Sequence, residues 1–230
     1  MYFRQFDGRS IRAEAVVIFH GFPSYSSKND DIAAIIAEKS GLTVYTPHFR
    51  GLGLSPGPFS FSNSMVDATE FCNQLETTRQ VKIHLIGHSY GGAVSLLISN
   101  RIPSLASVTL VNPLLRIPNQ TEVKSIVQQF VIDERALGNN YETNELILDL
   151  ESSTRDYDPT LTTRILSKNA VQISAITSTA DANLDQVVLE NWLEESKGLI
   201  QSSRISGDHW FSESRDLLAF EIANFLSKRF

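Results

Sequence analysis

The chain has 230 residues, 42% of them hydrophobic and 20% charged, with a formal charge of −6. That profile fits one globular domain with a sizeable core, and its acidity argues against nucleic acid, whose phosphates require Lys and Arg patches. No apolar run approaches the roughly 20 residues that span a bilayer, the start "MYFRQFDGRSIRAEAV" lacks the apolar segment of a secretory signal, and the single Cys72 suits a reducing compartment, so a cytoplasmic protein is expected.

In chain order, residues 2–13 admit a short strand or hairpin. "AVVIFHG" (15–21) reads as a buried strand of β-branched and aromatic residues that stops at a glycine. "DDIAAIIAEKSG" (30–41) is helical, with Ile32, Ile35 and Ile36 on one face and Gly41 as its C-terminal cap. The strand "LTVYTP" (42–47) follows, then a helix over about 63–78 with Asn63 or Ser64 as cap. "VKIHLIG" (81–87), a helix over 90–101 and "ASVTLVNP" (106–113) continue the alternation. Further on, "VQISAITS" (171–178) and "LIQSSRIS" (199–206) are strands, with helices near 186–197 and 213–228. Strands alternating with helices predict a mostly parallel sheet covered by helices, in an α/β fold.

Residues 114–170 interrupt this pattern with helical periodicity alone, as in Val123, Ile126, Val127, Phe130 and Val131. An insertion of that kind is expected to form a small helical lid over the sheet's carboxyl edge, the alternative being helices packed elsewhere. The whole of 1–230 then forms one domain.

"GHSYGG" (87–92) matches the G-x-S-x-G elbow, with a strand before it and a helix after it. A turn this tight strains the serine's backbone, so Gly87 and Gly91 remove side chains that would clash, and Gly92 lets the helix approach the sheet. Ser89 becomes the candidate nucleophile, with a helix N-terminus beneath it that favours developing negative charge. Serine needs a base. Of five histidines, His84 lies inside a strand, His88 is the elbow's variable position and faces away from the serine, and His20 and His48 end earlier strands. His209, between the last strand and last helix, is the candidate base. The acid should follow the preceding strand, where Asp181 lies nearer the strand end and Asp185 is placed to cap the next helix. Asp208 adjoins His209 but reads as a loop or capping residue, and Asn112 occupies the alternative position for an acid. The backbone N–H groups of Phe22 and Tyr90 are the expected oxyanion donors; Pro23 has no N–H, and His20 braces the loop.

Taken together, "HGFPS", "FRGLGLS" (49–55), "GHSYGG", Asp181 and "GDHWF" resemble the α/β-hydrolase superfamily over nearly the full chain. The resemblance implies the α/β-hydrolase fold with seven or eight strands, and hydrolysis of an ester, thioester or amide through an acyl-enzyme. No His/Cys/Asp/Glu set has zinc spacing and no G-x-x-x-x-G-K motif appears, so no metal and no cofactor are expected. The N-terminal region is short for two full strands, and "PHF" precedes Arg50 where an acidic residue is frequent in the family. The expected substrate is a small-molecule carboxylic ester or thioester with a small apolar acyl or aromatic group, lined by Phe59, Phe61, Leu115 and Phe130. Acyl transfer, lyase or perhydrolysis chemistry on the same machinery, a slow-turnover ligand-binding protein and a degenerate scaffold are the alternatives.

Overall fold

Seven short strands pair into one sheet in the computed structural model, the central ones rich in β-branched and aromatic residues. It describes residues 1–227 apart from 23, 25 and 134–142, with backbone alone at 26, 27, 127, 129–133 and 143. The first half comprises β1 (Phe3–Phe6), β2 (Glu14–Phe19), α1 (Asp30–Ser40), β3 (Thr43–Pro47), α2 (Phe61–Arg79), β4 (Lys82–His88) and α3 (Tyr90–Ile98). Then come β5 (Leu105–Val111), α4 (Gln120–Asp133), α5 (Thr143–Ser153), α6 (Pro159–Lys168), β6 (Gln172–Ser178), α7 (Gln186–Glu195), β7 (Gln201–Ile205) and α8 (Arg215–Ser227).

The sheet order is β1-β3-β2-β4-β5-β6-β7, with β1 antiparallel to β3 and the other neighbours parallel. From β3 the chain crosses back over β2 to reach β4, so the connections after β2 and β4 diverge and open a crevice at their carboxyl ends. The register sets Gly87 opposite Phe19 on one side and Leu110 on the other. Three strand ends therefore converge at the start of the elbow.

Alternation along the strands divides the core. Val16, Ile18, Ile86 and Ile176 pack with Ile32 and Ile36 of α1 and Leu218 and Ile222 of α8. Val17, Phe19, Leu85, Val108 and Ile173 face the other way, towards Phe71, Val94 and Trp192. Each such side chain contributes about 1.5–3 kcal/mol on burial.

Several boundaries differ from the sequence expectation for local reasons. The cap of α2 is Ser60, not Asn63 or Ser64: its extended backbone turns the hydroxyl to accept from Asn63 N–H at 3.0 Å. The earlier start lets Phe61 enter the core at 2% exposure, while Ser64 Oγ is taken by Phe61 O and Tyr90 Oη. After Ile98 the helix tightens into a short 3₁₀ turn over Ser99–Arg101. Gly41 does cap α1 in the left-handed conformation, φ 73°, its N–H donating to Ala37 O. At the N-terminus β1 is a single strand, bringing the sheet to seven.

Within 114–170 the described residues form α4, α5 and α6 and no strand. The first two stack outward on α2: α5 packs on α2, with Ser62 N–H donating to Asp149 at 3.0 Å, and α4 packs on α5. By contrast α6 lies against β6, α3 and α7. No helix among the described residues is long and apolar enough to cross a membrane.

Trp192 of α7 is 2% exposed, and its indole N–H donates to Thr163 Oγ1 of α6 at 3.2 Å. Trp192→Ala is expected to cost about 3–5 kcal/mol in urea unfolding. The exposed Val187→Ala on the same helix should stay within about 0.5 kcal/mol. Equal shifts would contradict this packing.

Candidate active site

Ser89 alone makes the turn between β4 and α3, at φ 54° and ψ −117°. A non-glycine residue in such a region costs on the order of 1–3 kcal/mol, so the surroundings must hold it. They do so through the main chain. Ser89 N–H donates to Val111 O at 2.9 Å, and Ser89 O accepts from Gly92 N–H at 2.9 Å and Leu114 N–H at 3.0 Å. The glycines are spatial necessities. A β-carbon on Gly87 would sit 2.3 Å from Gly91 O, and one on Gly91 would sit 2.2 Å from Phe19 O. A β-carbon on Gly21 would stand 3.3 Å from Ser89 Cβ, so the loop after β2 passes directly over the serine.

His20 shapes that loop. Its Nδ1 lies 2.8 Å from Gly21 O and its Nε2 accepts from Phe49 N–H at 3.3 Å, a pair of roles that assigns a neutral ring protonated on Nδ1. Burial holds its pKa down at about 3, against the opposing bond to Gly21. Gly21 O also accepts from Ser24 N–H at 3.1 Å, closing a tight turn. Neither Phe22 N–H nor Tyr90 N–H donates to another group in the described backbone hydrogen bonds. Tyr90 opens α3, where a first-turn amide has no intrahelical acceptor, and Phe22 lies in the loop after β2.

The loops after β6 and β7 run side by side, Thr179 N–H donating to Ile205 O and Ala180 N–H to Gly207 O, both at 3.0 Å. This brings His209 Nδ1 to 2.7 Å from Asp181 Oδ2. The Asp181 side chain has no exposed surface, and its other oxygen accepts from Asn183 N–H at 2.8 Å. Asp185 instead caps α7, accepting from Val188 N–H at 3.1 Å. Asp208 organises the turn beyond it, accepting from the N–H groups of Trp210 and Ser212 and from Ser212 Oγ. The bonds from Ser212 hold its carboxyl below the usual range. Of the three candidate aspartates, Asp181, Asp185 and Asp208, Asp181 is the one against the ring.

Two further contacts were not foreseen. His88 Nε2–H and Asn112 Nδ2–H both donate to the His209 carbonyl, at 2.9 and 3.0 Å. His88 does lie on the far side of the turn, against Phe211 and Val111, yet from there it reaches the base's main chain. Burial, reinforced by neighbouring His209, holds the His88 pKa down at about 3. Asn112, at φ 39°, also receives Ser178 N–H at 2.8 Å. A polar residue closing the apolar run of "ASVTLVNP" was the available signal in the sequence. Ser89 Oγ and the His209 ring are not hydrogen-bonded among the described contacts; such bonds often reach full length only with substrate present.

Of the expected lining residues, Phe59 and Phe61 are 5% and 2% exposed. They pack around Phe22 and Tyr90, with ring centroids of Phe22 at 4.9 Å from Phe59 and 5.1 Å from Phe61. Leu115 is buried next to Leu114, the residue bonded to Ser89 O. The side chain of Phe130 lies outside the described residues. "FRGLGLS" is held by Asp67 of α2, whose carboxylate accepts Arg50 N–H at 3.0 Å and its guanidinium at 2.7 Å. Among the described residues no cluster of His, Cys, Asp and Glu is placed to hold a metal ion.

The profile of the family described as serine aminopeptidase, S33, matches residues 11–193. A monoacylglycerol lipase from Paleococcus ferrophilus is similar over 98% of both chains, with a TM-score of 0.71 and 17% identity. A thermophilic esterase from Thermogutta terrifontis is similar over 98% of this chain and 92% of its own, with a TM-score of 0.69 and 17% identity. At such identities the likeness is one of fold, and the fold is that of the α/β hydrolases. An ethanol acetyltransferase of Cyberlindnera fabianii is 31% identical over 51% of this chain and 35% of its own. A probable alcohol acetyltransferase of Wickerhamomyces anomalus is 29% identical over 51% of this chain and 34% of its own. The chain spans about a third of the length of those two relatives.

His20 and His88 make stability depend on pH. An unfolded chain protonates them near 6.5, whereas the folded one resists until about 3. Between those values the unfolded state binds more protons, so stability is fully present above the higher value. It falls with pH by about 1.4 kcal/mol per unit for each histidine. Urea midpoints measured from neutral pH downward should decline accordingly, and less steeply in His88→Gln. Parallel profiles for the two proteins would refute the assignment.

Proposed function

This chain belongs to the serine aminopeptidase S33 family of α/β hydrolases, and on that premise we propose that it cleaves a carboxylic ester or thioester through an acyl-enzyme on Ser89. The observation that supports this most is the His209–Asp181 hydrogen bond at the same sheet edge as the strained serine. In the proposed reaction His209 Nε2 takes the Ser89 proton as Oγ attacks the carbonyl carbon. Asp181 holds the ring by Nδ1–H and stabilises the imidazolium that forms. The amides of Phe22 and Tyr90 receive the oxyanion, each contributing about 3 kcal/mol to the barrier reduction. His209 then protonates the leaving alcohol or thiol. Water, deprotonated by the same imidazole, releases the acid and restores Ser89.

A small apolar acyl or aromatic group fits the surroundings. Phe59 and Phe61 are already packed against Phe22, so they act as a wall beside the acyl carbon. Leu115 lies in the loop after β5, and on this reading α4 and α5 are the lid, while α6, packed on β6, α3 and α7, belongs to the layer that covers the sheet. Acyl transfer to an alcohol is a second reading, favoured by the two acetyltransferases similar to half of the chain. It uses the same steps, with an alcohol in place of water.

A fluorophosphonate probe should label Ser89 and leave Ser89→Ala unlabelled, with ester hydrolysis reduced by at least about 10³-fold. Labelling at another residue would sink the assignment. Asp181→Asn is expected to lower kcat by about 10⁴-fold, whereas Asp185→Asn, which keeps its capping oxygen, should stay within about twofold. Turnover of an acetyl ester with ethanol present separates the two readings: acetate marks hydrolysis and ethyl acetate marks transfer.

A further inference from the structure

We infer that His88 and Asn112 are positioning residues that lock the His209 main chain to the elbow and to the strand carrying Asp181. This rests on the proposed roles of Ser89, Asp181 and His209. Asp181 fixes the imidazole at one nitrogen, and the rings of His88 and Trp210 each pack at 5.0 Å from it, yet where the ring stands still follows its own backbone. The His209 carbonyl fixes that backbone, because both of its lone pairs are occupied, by His88 Nε2–H at 2.9 Å and Asn112 Nδ2–H at 3.0 Å.

The two donors come from the segments that bear the other reacting groups. His88 immediately precedes Ser89, so a single bond ties the nucleophile's turn to the base's loop. Asn112 ends β5, and its side-chain oxygen accepts Ser178 N–H at 2.8 Å, three residues before Asp181. Its own N–H donates to Ile176 O at 3.0 Å. One amide side chain thus links the approach to the acid with the base. Both residues are buried, at 6% and 1% exposure. Catalytic alignment is sensitive to this constraint, since a displacement of about 1 Å can cost about 10²-fold in rate.

Three variants test it: His88→Leu, which removes the donor; His88→Gln, which retains an N–H donor; and Asn112→Asp, which keeps the acceptor for Ser178 and the tolerance for positive φ but loses the donor when ionised. A cavity of about 20 Å³ borders His88, lined by Ile18, Ile86 and Phe211 among others, so truncation to Ala would add a packing defect. For His88→Leu and Asn112→Asp, kcat should fall about 10- to 100-fold with KM within about threefold. His88→Gln should recover most of that loss. The low-field NMR resonance of the His209 Nδ1 proton should shift or broaden in His88→Leu and Asn112→Asp and return in His88→Gln. If His88→Leu keeps kcat within about twofold, or loses activity only as its folded fraction falls while the resonance is unmoved, the inference is overturned. Failure of Gln to restore either signal overturns it as well. Should the wild-type protein turn over no ester and resist the phosphonate, the hydrolase proposal fails, and the resonance alone decides whether His209 is held in this way.

Discussion

Beside Ser89 the main chains of β2, β4 and α3 approach so closely that no β-carbon fits at positions 87 and 91. The carbonyl of Phe19 occupies the space that a side chain at position 91 would need, and the carbonyl of Gly91 occupies the space at 87. This contact sets the height of α3 over the gap between β2 and β4. Because those strands lie side by side at the topological switch, the loop that follows β2 is carried over the serine. The strain at φ 54° is sustained by three main-chain hydrogen bonds at Ser89, two of them to β5 and the loop after it. Loosening the approach would free the serine to relax and would remove the amide of Phe22 from its neighbourhood.

Burial then makes the supporting histidines into fixed parts. His20 and His88 are kept neutral around pH 7; His20 commits both ring nitrogens to main-chain partners and His88 commits Nε2. A protonated His20 could not accept from Phe49 N–H. The stability lost on acidification is the thermodynamic consequence of holding these rings uncharged in the interior.

What was legible in the sequence was what is local. Gly87, Ser89 and Gly91 are legible because the turn's steric demand acts over five residues, and Asp185 because a cap serves an amide three residues away. Asp181 and His209 came from their places after successive strands. The contacts that escaped notice join residues far apart: His88 to His209 across 121 positions, and Asn112 to His209 across 97. No periodicity encodes them. Asp67 is similar, a carboxylate on the buried face of α2 whose partner Arg50 belongs to another segment, in a stretch where the sequence had shown only a missing acid. The cap of α2 was misplaced by a few residues because three serines and an asparagine between 60 and 64 offer equivalent local chemistry. The packing of Phe61, which is a tertiary effect, decided among them.

On the proposed chemistry, the choice between water and alcohol as acyl acceptor depends on what stands over the serine, and the hydrogen bonds trace how that cover is attached. Ser89 O accepts from Leu114 N–H, and Leu114 O accepts from Tyr157 Oη–H at 2.6 Å, just beyond α5. Within α5, Asp149 ties that helix to α2 by accepting Ser62 N–H. A displacement of α5 would therefore pull on Leu114, which bonds Ser89 O, and on the helix that carries Phe61. Both acceptors leave the attack step unchanged, since the acyl-enzyme forms before either arrives. Their competition is settled afterwards, by how long the cover stays closed against water and by whether Phe59 and Phe61 leave an apolar path for a small alcohol. On the proposed chemistry, selection between hydrolysis and transfer would then reside in the helical segment and its two anchors.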